Sequence, residues 1–127
     1  MVRVVVIGGG PCGLVTLKEM LEAGHDAECF ESKDYIGGVF GADPDAAYDG
    51  LYLTTSNVFM AYSDFPCKDA KIRYSRKDEY AQYLVDYAEA FGLMKRLTLK
   101  TTVDSAVRKD GTWAVVTTTA GGDRVHR

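Results

Sequence analysis

The first 31 residues, MVRVVVIGGGPCGLVTLKEMLEAGHDAECFE, contain the pattern that decides the fold. The β-branched run from Val2 to Ile7 is typical of a strand buried on both faces of a parallel sheet, and glycines follow it at once. From Leu14 the apolar residues recur at helical spacing, and Gly24 stands where a helix C-cap belongs. A second short strand, Ala27 to Phe30, completes a βαβ unit. The sequence therefore predicts an α/β fold with parallel strands.

Three glycines form a G-x-G-x-x-G motif between the first strand and the helix. Gly8 permits the tight turn, Gly10 lets the backbone approach a pyrophosphate, and Gly13 lets the helix lie against the strand. The helix offers unpaired N–H groups and the positive end of its dipole to phosphates, and Pro11 suits its first turn. The motif predicts a Rossmann-like dinucleotide-binding turn. The alternative is that the glycines serve packing alone.

An acidic residue stands where such a turn needs one for the ribose. Glu31 follows Gly10 by 21 residues, at the end of the second strand. A carboxylate there accepts hydrogen bonds from both ribose hydroxyls and repels a 2′-phosphate, which favours FAD or NAD over NADP. The βαβ unit alone does not decide between FAD and NAD. The Gly37-Gly38 pair, followed by Phe40, tilts the choice towards FAD, because it lets a loop pass close to a bulky flat ligand. The alternative is an ordinary turn followed by a core aromatic residue.

The middle of the chain, from Lys33 to Lys71, has no sustained period and contains turn signals such as Asp43-Pro44. Within it, Tyr48 to Leu53 is a candidate short strand. The capping-box spacing of Ser75 and Asp78 predicts the start of a helix with an apolar face that ends at Gly92.

The C-terminal third predicts strands. Leu97 to Lys100 is the third parallel strand, and two antiparallel strands follow, Val103 to Val107 and Thr112 to Thr119. The turn between these two contains Asp110-Gly111, and Gly121-Gly122 opens a further hairpin. We expect a β-meander here.

Composition excludes several classes of protein. The 127 residues include 15 Lys and Arg against 18 Asp and Glu, for a net charge of −3, which argues against nucleic acid as a partner. We find no apolar run near the ~18 residues of a membrane span. The three cysteines have no C-x-x-C spacing, so we expect reduced thiols in a cytoplasmic protein and no metal site.

Four stretches of the chain resemble the N-terminal FAD-binding part of the flavin-containing monooxygenases, a family of class B flavoproteins. They are GGGPCGL (8–14), CFESKDYIGGVF (29–40), YLTTSNVFMAYSDFP (52–66) and EYAQYLVDYAEAFGL (79–93). The most specific pieces are the F-E-x(5)-G-G pattern and the S-D-F-P tetrapeptide, and the resemblance covers nearly the whole chain. It implies a glutathione-reductase-type FAD domain in an enzyme that uses NADPH and O₂ to oxygenate nitrogen or sulfur of small soft nucleophiles.

The resemblance also implies a set of cofactor contacts. It assigns the FAD pyrophosphate to the glycine turn, the ribose to the end of the second strand, and the isoalloxazine to two later segments. In that order the residues are Gly8, Gly9, Gly10, Pro11, Cys12 and Gly13; Glu31, Ser32 and Lys33; then Gly38, Val39, Phe40, Thr54 and Thr55. Many animal members have Trp where Phe40 stands and Asn where Thr54 stands. That Asn positions flavin, NADP and oxygen, so the catalytic residue is unknown, with Thr54 its only candidate.

One glycine-rich fingerprint is present where the family needs a second for NADPH. We therefore expect residues 1–127 to be a single, truncated FAD-binding domain that is inactive alone, incomplete at its C-terminus. Its parts are a βαβ unit (1–32), flavin-side loops (33–74), a helix and third parallel strand (75–100) and the start of a β-meander (101–127). The expected strand order 3-2-1 leaves strand 2–7 as an edge, open to self-association or a partner chain. The alternatives are a catalytically silent FAD-binding or dinucleotide-binding module and a fragment of an NAD-dependent dehydrogenase.

The remaining candidate residues give weaker indications of function. His25 and His126 are predicted to be solvated. Cys12, at a helix start, is predicted to be a small residue beside the pyrophosphate, with a redox role as the alternative. The basic cluster is predicted to be a solvated loop, with shielding of phosphate charge as the alternative; it consists of Lys68, Lys71, Arg73, Arg76 and Lys77.

Overall fold

The computed structural model describes residues 1–42, 46–69 and 71–126, without the side chain of His126. The predictions for Asp43-Pro44 and for the His126 side chain lie outside the described residues. The strands are β1 (Arg3–Ile7), β2 (Asp26–Phe30), β3 (Tyr52–Ser56), β4 (Tyr74–Arg76), β5 (Leu97–Thr98), β6 (Thr101–Lys109), β7 (Thr112–Thr119) and β8 (Arg124–His126). The helices are α1 (Pro11–Glu22), α2 (Asn57–Met60) and α3 (Lys77–Ala90), with 3₁₀ turns at Gly38–Phe40 and Leu93–Arg96.

A parallel sheet in the order β1-β2-β5 carries the N-terminal half of the fold. β1 and β2 pair from Arg3 opposite Asp26 to Ile7 opposite Phe30, so the carboxyl ends of both strands lie level. Among the described residues β1 pairs with β2 alone, which makes β1 the edge of this sheet. The predicted strand order is confirmed.

The core lies between the parallel sheet, α1 and α3. Leu14 and Leu17 of α1 and Leu84 and Tyr87 of α3 are fully buried, as their helical spacing predicts. Removing one such leucine side chain typically costs about 2–5 kcal/mol of folding free energy. The core therefore fixes α1, whose first turn contains Gly13 of the glycine motif.

Two predicted boundaries in the middle of the chain are wrong. The strand expected at Tyr48 to Leu53 begins at Tyr52, because Gly50 has a φ of +79° and turns the chain just before it. The cap expected at Ser75 lies one residue later: Ser75 is buried in β4, and the N–H of Arg76 donates to Glu79 Oε2 at 2.7 Å. Glu79 is the ordinary capping-box partner, three residues after Arg76.

The β-meander is an antiparallel sheet in the order β6-β7-β8. Its first hairpin turns at Asp110 and Gly111, which both have positive φ, as a type I′ turn requires. The third parallel strand is shorter than predicted and ends at Thr98, since Lys100 takes a left-handed conformation with φ of 53°. The meander begins directly beside Glu31, because the N–H of Thr101 donates to the Glu31 carbonyl at 2.9 Å.

The described helices are all too short or too polar to cross a membrane.

Candidate functional site

The glycine turn joins β1 to α1 through two close approaches of backbone. Gly8 has a φ of +97° and its N–H donates to the Phe30 carbonyl at 2.8 Å, which ties the turn to the end of β2. A Cβ on Gly13 would lie 1.8 Å from the Gly8 carbonyl oxygen. The predicted roles of Gly8 in the turn and of Gly13 in helix packing both agree with this geometry.

Gly10 has a neighbour that the sequence did not reveal. A Cβ on Gly10 would point at the backbone of Gly38, 3.6 Å from its Cα, which is an ordinary van der Waals contact. The N–H of Gly37 donates to the Gly9 carbonyl at 2.9 Å. The Gly37-Gly38 loop thus lies against the glycine turn itself, and the two loops together form one surface at the start of α1.

The first turn of α1 is open to an anion. Gly10 is the N-cap and has no side chain to offer, and within the described residues no side-chain cap or first-turn acid neutralises this helix end. A 12-residue helix in this state presents unpaired N–H groups and a partial positive charge. These are the properties that a diphosphate requires of its binding site.

Glu31 is buried, with 7% of its surface exposed, and its carboxylate holds the adjoining loops together. Oε2 accepts from the Gly9 N–H at 2.6 Å, and Oε1 accepts from the Lys33 N–H at 2.8 Å and the Ser32 hydroxyl at 3.1 Å. A carboxylate has about four acceptor positions, so at least one remains beside these three contacts. Accepting both ribose hydroxyls requires the Ser32 hydroxyl or the Lys33 N–H to give way.

A cleft of about 470 Å³ opens just beyond Glu31. It lies between the segment that follows β2 and the outer face of the meander. The cleft therefore lies next to the end of β2, which the glycine turn also contacts. The lining residues are Ser32, Lys33, Asp34, Lys100, Thr102, Asp104, Thr118, Thr119 and Ala120.

Cys29 lies directly beneath the glycine turn and was not among the predicted site residues. It is fully buried and its thiol donates to the Gly8 carbonyl at 3.4 Å. Burial, followed by the charge of Glu31, raises the pKa of the Cys29 thiol to about 12, so the thiol stays protonated as a donor. No sequence signal separated this cysteine from an ordinary core residue.

The predicted flavin-side residues are more exposed than the glycine turn. Val39 is 56% exposed, and Thr54 and Thr55 are exposed on β3. Phe40 is half-buried and packs edge-to-face on Tyr80, with ring centroids 4.9 Å apart. Its role as a core aromatic, the alternative left open by the sequence, is thus seen directly.

Asn57, three residues after Thr54, is engaged by the protein's own backbone. It is buried, and its amide donates to the carbonyls of Asp69 and Lys71 at 3.2 and 3.1 Å while accepting from the Arg73 N–H at 3.0 Å. These contacts organise the loop after α2 and leave the amide engaged. The catalytic role considered for Thr54 has no hydrogen-bond network behind it among the described contacts.

The basic cluster is tied up in ion pairs. Arg73 bonds Asp69 and Glu79, both at 2.9 Å, and Lys68 lies 3.2 Å from Asp86. Arg76 and Lys77 have carboxylate neighbours as well, at 3.1 and 3.8 Å. Four of the five cations are therefore matched within the protein, which disfavours phosphate shielding. The prediction of a solvated loop is wrong for Arg76, which lies in β4, and for Lys77, which begins α3 with only 12% of its side chain exposed.

The cysteines, His25 and possible metal ligands are the remaining minor candidates. Cys12 is exposed, and none of the three cysteines, all in the described part, forms a disulfide. The prediction of a solvated His25 is wrong in part, because its Nδ1 is buried without a hydrogen-bond partner among the described residues. The described residues contain no group of His, Cys, Asp and Glu that is arranged to hold a metal ion.

A glycine turn, an uncapped helix start and a carboxylate at the end of β2 define a dinucleotide-binding protein of the Rossmann type. Comparison with known proteins narrows the class. The model of the family described as "FMO-like: Flavin-binding monooxygenase-like" matches residues 1–126, so the chain belongs to this family.

Relatives by sequence span several activities. The chain is 35% identical over 124 residues to a 4-hydroxybenzoate brominase (decarboxylating) of Marinomonas mediterranea, which covers 98% of this chain and 24% of the relative. It is 36% identical to flavin-containing monooxygenase 5 of Oryctolagus cuniculus, over 94% of this chain and 24% of that protein. The chain thus spans about a quarter of the length of these curated relatives.

Solved structures agree with the fold. S-allyl-L-cysteine S-oxygenase from Allium sativum superposes with a TM-score of 0.92 at 22% identity, over all of this chain and 34% of that one. A steroid monooxygenase, oxidised and bound to NADP, gives a TM-score of 0.82 at 27% identity, over 98% of this chain and 24% of that chain. The predicted flavin-binding α/β fold and the family resemblance are confirmed.

Proposed function

We propose that this chain binds FAD and forms the FAD-binding part of a flavin-dependent monooxygenase. The N–H groups of Cys12 and Gly13, at the uncapped start of α1, would hold the diphosphate, and Glu31 would hold the ribose. The cleft beyond Glu31 would take the adenine, beside Ser32 and Lys33. The isoalloxazine would lie along Gly38, Val39, Phe40, Thr54 and Thr55.

The observation that carries this proposal is the pairing of an open helix start with a buried carboxylate. Both groups lie at the carboxyl end of the parallel sheet, and the Gly9 N–H, two residues before α1, donates to Glu31 Oε2 at 2.6 Å. This arrangement limits the ordering cost at the diphosphate, while binding of both ribose hydroxyls would displace the Ser32 hydroxyl or the Lys33 N–H from Glu31. The Glu31 charge opposes a 2′-phosphate, which favours FAD over NADP at this site.

The full activity that we propose is NADPH- and O₂-dependent oxygenation of nitrogen or sulfur in small soft nucleophiles. FAD would supply the redox chemistry when bound, and this chain would hold and orient it. A single G-x-G-x-x-G motif occurs in the 127 residues, so we expect no NADPH oxidation by this chain alone. We also propose a cytoplasmic location, which three free thiols favour.

A second candidate is a catalytically silent FAD-binding module that a partner completes. β1 is a sheet edge within the described residues, and Ile7 is 59% exposed on it. Such an apolar edge favours pairing with a strand of another chain, either a second copy or a partner. Sedimentation that shows a monomer at all concentrations, unchanged in Ile7→Lys, would speak against self-association.

The test is a titration of the 127-residue chain with FAD and, separately, with NAD, followed by flavin absorbance and by calorimetry. Gly10→Ala is the informative variant, because its methyl group meets only an ordinary contact with Gly38 in the protein yet lies at the proposed diphosphate site. We expect FAD to bind and Gly10→Ala to weaken it by about tenfold or more, a loss of ~1.4 kcal/mol.

Ala114→Gly is the control: Ala114 is exposed on β7, is not among the residues that line the cleft, and the change is again of one methyl group. It should bind FAD as the unchanged chain does. Binding of NAD in preference to FAD would support the dehydrogenase alternative, and binding of neither would overturn the proposal.

A further inference from the structure

A tight turn, Tyr62 to Phe65, lies between α2 and the loop that precedes β4. The Phe65 N–H donates to the Tyr62 carbonyl at 3.1 Å, which closes the turn. The Tyr83 hydroxyl of α3 accepts from the Tyr62 N–H and donates to the Phe65 carbonyl, both at 2.7 Å. One side chain thus braces both ends of this Tyr62–Phe65 turn.

The Tyr62–Phe65 turn contacts α1 at two places. The Tyr62 hydroxyl donates to the Pro11 carbonyl at 2.7 Å, at the helix start that follows the glycine turn. Two helical turns further on, Asp64 lies 2.5 Å from the buried Nζ of Lys18. Lys18 also meets Glu22 at 2.6 Å, so the ammonium group is firmly held in place.

The hydroxyl of Tyr62 is a permanent donor. Burial raises the pKa of Tyr62 well above its ordinary range, and its ring packs on the fully buried Tyr87 with centroids 4.5 Å apart. The side chain therefore stays protonated and fixed in direction.

The glycine turn does not depend on this contact. Gly9 is held by Glu31, Gly8 by Phe30 and Cys29, and Gly37 by Gly9. The segment formed by β3 and α2 differs from the glycine turn in its exposure. Thr54 and Thr55 are exposed, and the Tyr62–Phe65 turn follows this segment directly. The turn is thus a direct connection between that segment and the start of α1.

We propose that Tyr62 is a positioning residue that sets the flavin-side segment, residues 52–60, at a fixed distance from the diphosphate-binding helix. This inference rests on the proposed FAD binding. It implies that Tyr62 matters for a ligand that spans both regions and matters little for a ligand that occupies the glycine turn alone.

The test compares FAD with ADP, which shares the adenosine diphosphate and lacks the flavin. Tyr62→Phe removes only the hydroxyl that reaches Pro11. We expect the Kd for FAD to rise about three- to tenfold, the range for loss of one neutral hydrogen bond, while the Kd for ADP changes by less than about twofold. Asp64→Asn, which weakens the other contact with α1, should act in the same direction.

Tyr74→Phe is the matched control, because Tyr74 is 60% exposed and the same hydroxyl is removed there without a contact to α1. It should leave both dissociation constants unchanged. Equal weakening of FAD and ADP by Tyr62→Phe would indicate a general structural role and overturn the inference, as would no weakening of FAD. If the unchanged chain binds neither ligand, the proposed function itself fails, which is a distinct result.

Discussion

The two halves of the proposed site differ in how deeply they are buried and in how many contacts within the chain hold them. Around the glycine turn, Glu31 is 7% exposed and Cys29 is fully buried, and backbone N–H groups are tied to fixed acceptors. Around the flavin-side segment, Tyr52 is 59% exposed and Phe59 is 82% exposed. On the proposed function, we expect contacts within this chain to bind the adenosine diphosphate, and we expect the flavin-side surface to depend more on the ligand or on further protein.

The largest effect should come from Gly13→Ala. Its new Cβ would lie 1.8 Å from the Gly8 carbonyl oxygen, so α1 must move away from β1. We expect a loss of about 3 kcal/mol in the free energy of unfolding, the upper range for overpacking, and no measurable FAD binding. Urea unfolding measures this, with Gly10→Ala as the control that keeps its stability. Equal stability of both variants would mean that the close approach at Gly13 is not rigid.

Glu31→Gln should come next. The amide keeps the shape of the side chain and removes the charge that holds Gly9, Lys33 and the proposed ribose. We expect about 1.5–3 kcal/mol weaker FAD binding, the range for hydrogen bonds to a charged group. Calorimetric titration measures it, and the exposed Glu89, changed to Gln, is the control. If Glu31→Gln leaves the affinity for FAD unchanged, the ribose does not bind at Glu31.

The buried half should also be sensitive to alkaline pH. The pKa of Cys29 is raised from 9.0 to about 12, so an unfolded chain loses this proton before the native protein does. The contribution is complete below pH 9 and is lost as pH rises towards 12, by up to about 1.4 kcal/mol per pH unit. Unfolding free energies measured across this range should fall less steeply in Cys29→Ala. Identical slopes would show that other groups, such as Tyr87, dominate.

Thr54→Asn should have the smallest effect. Thr54 is exposed on β3, and surface substitutions usually change stability by within about 0.5 kcal/mol. We expect the thermal midpoint of the ligand-free chain and its affinity for ADP to stay as they are. A marked loss of stability would mean that β3 is more tightly held than its exposure indicates.

Local patterns predicted the half of the site that is built from neighbours in sequence. Gly8, Gly13 and Glu31 follow from one βαβ unit, and the parallel order of its strands follows from the same pattern. The apolar face predicted for the helix that ends at Gly92 likewise contains Leu84 and Tyr87, which are fully buried. These signals are strong because each depends on a spacing that a single element repeats.

The remainder depends on contacts between distant residues. Tyr62 meets Pro11 across 51 positions, and Asn57 is engaged by a loop whose sequence has no period. The packing of Gly10 on Gly38 could not be predicted either, because glycine gives no signal of what lies against it. The errors in element boundaries were small by comparison. The turn at Gly50 delays the start of β3, and the bond from Arg76 to Glu79 places the helix cap one residue later than predicted.

The central claim is that backbone N–H groups at the start of α1 hold the diphosphate of FAD, with its ribose on Glu31. A crystal structure of the 127-residue chain grown with excess FAD tests this most directly. We predict diphosphate density beside Cys12 and Gly13, and a ribose hydroxyl within hydrogen-bond distance of a Glu31 carboxylate oxygen. Flavin bound elsewhere, with the start of α1 closed by a side chain of the protein, would contradict the account.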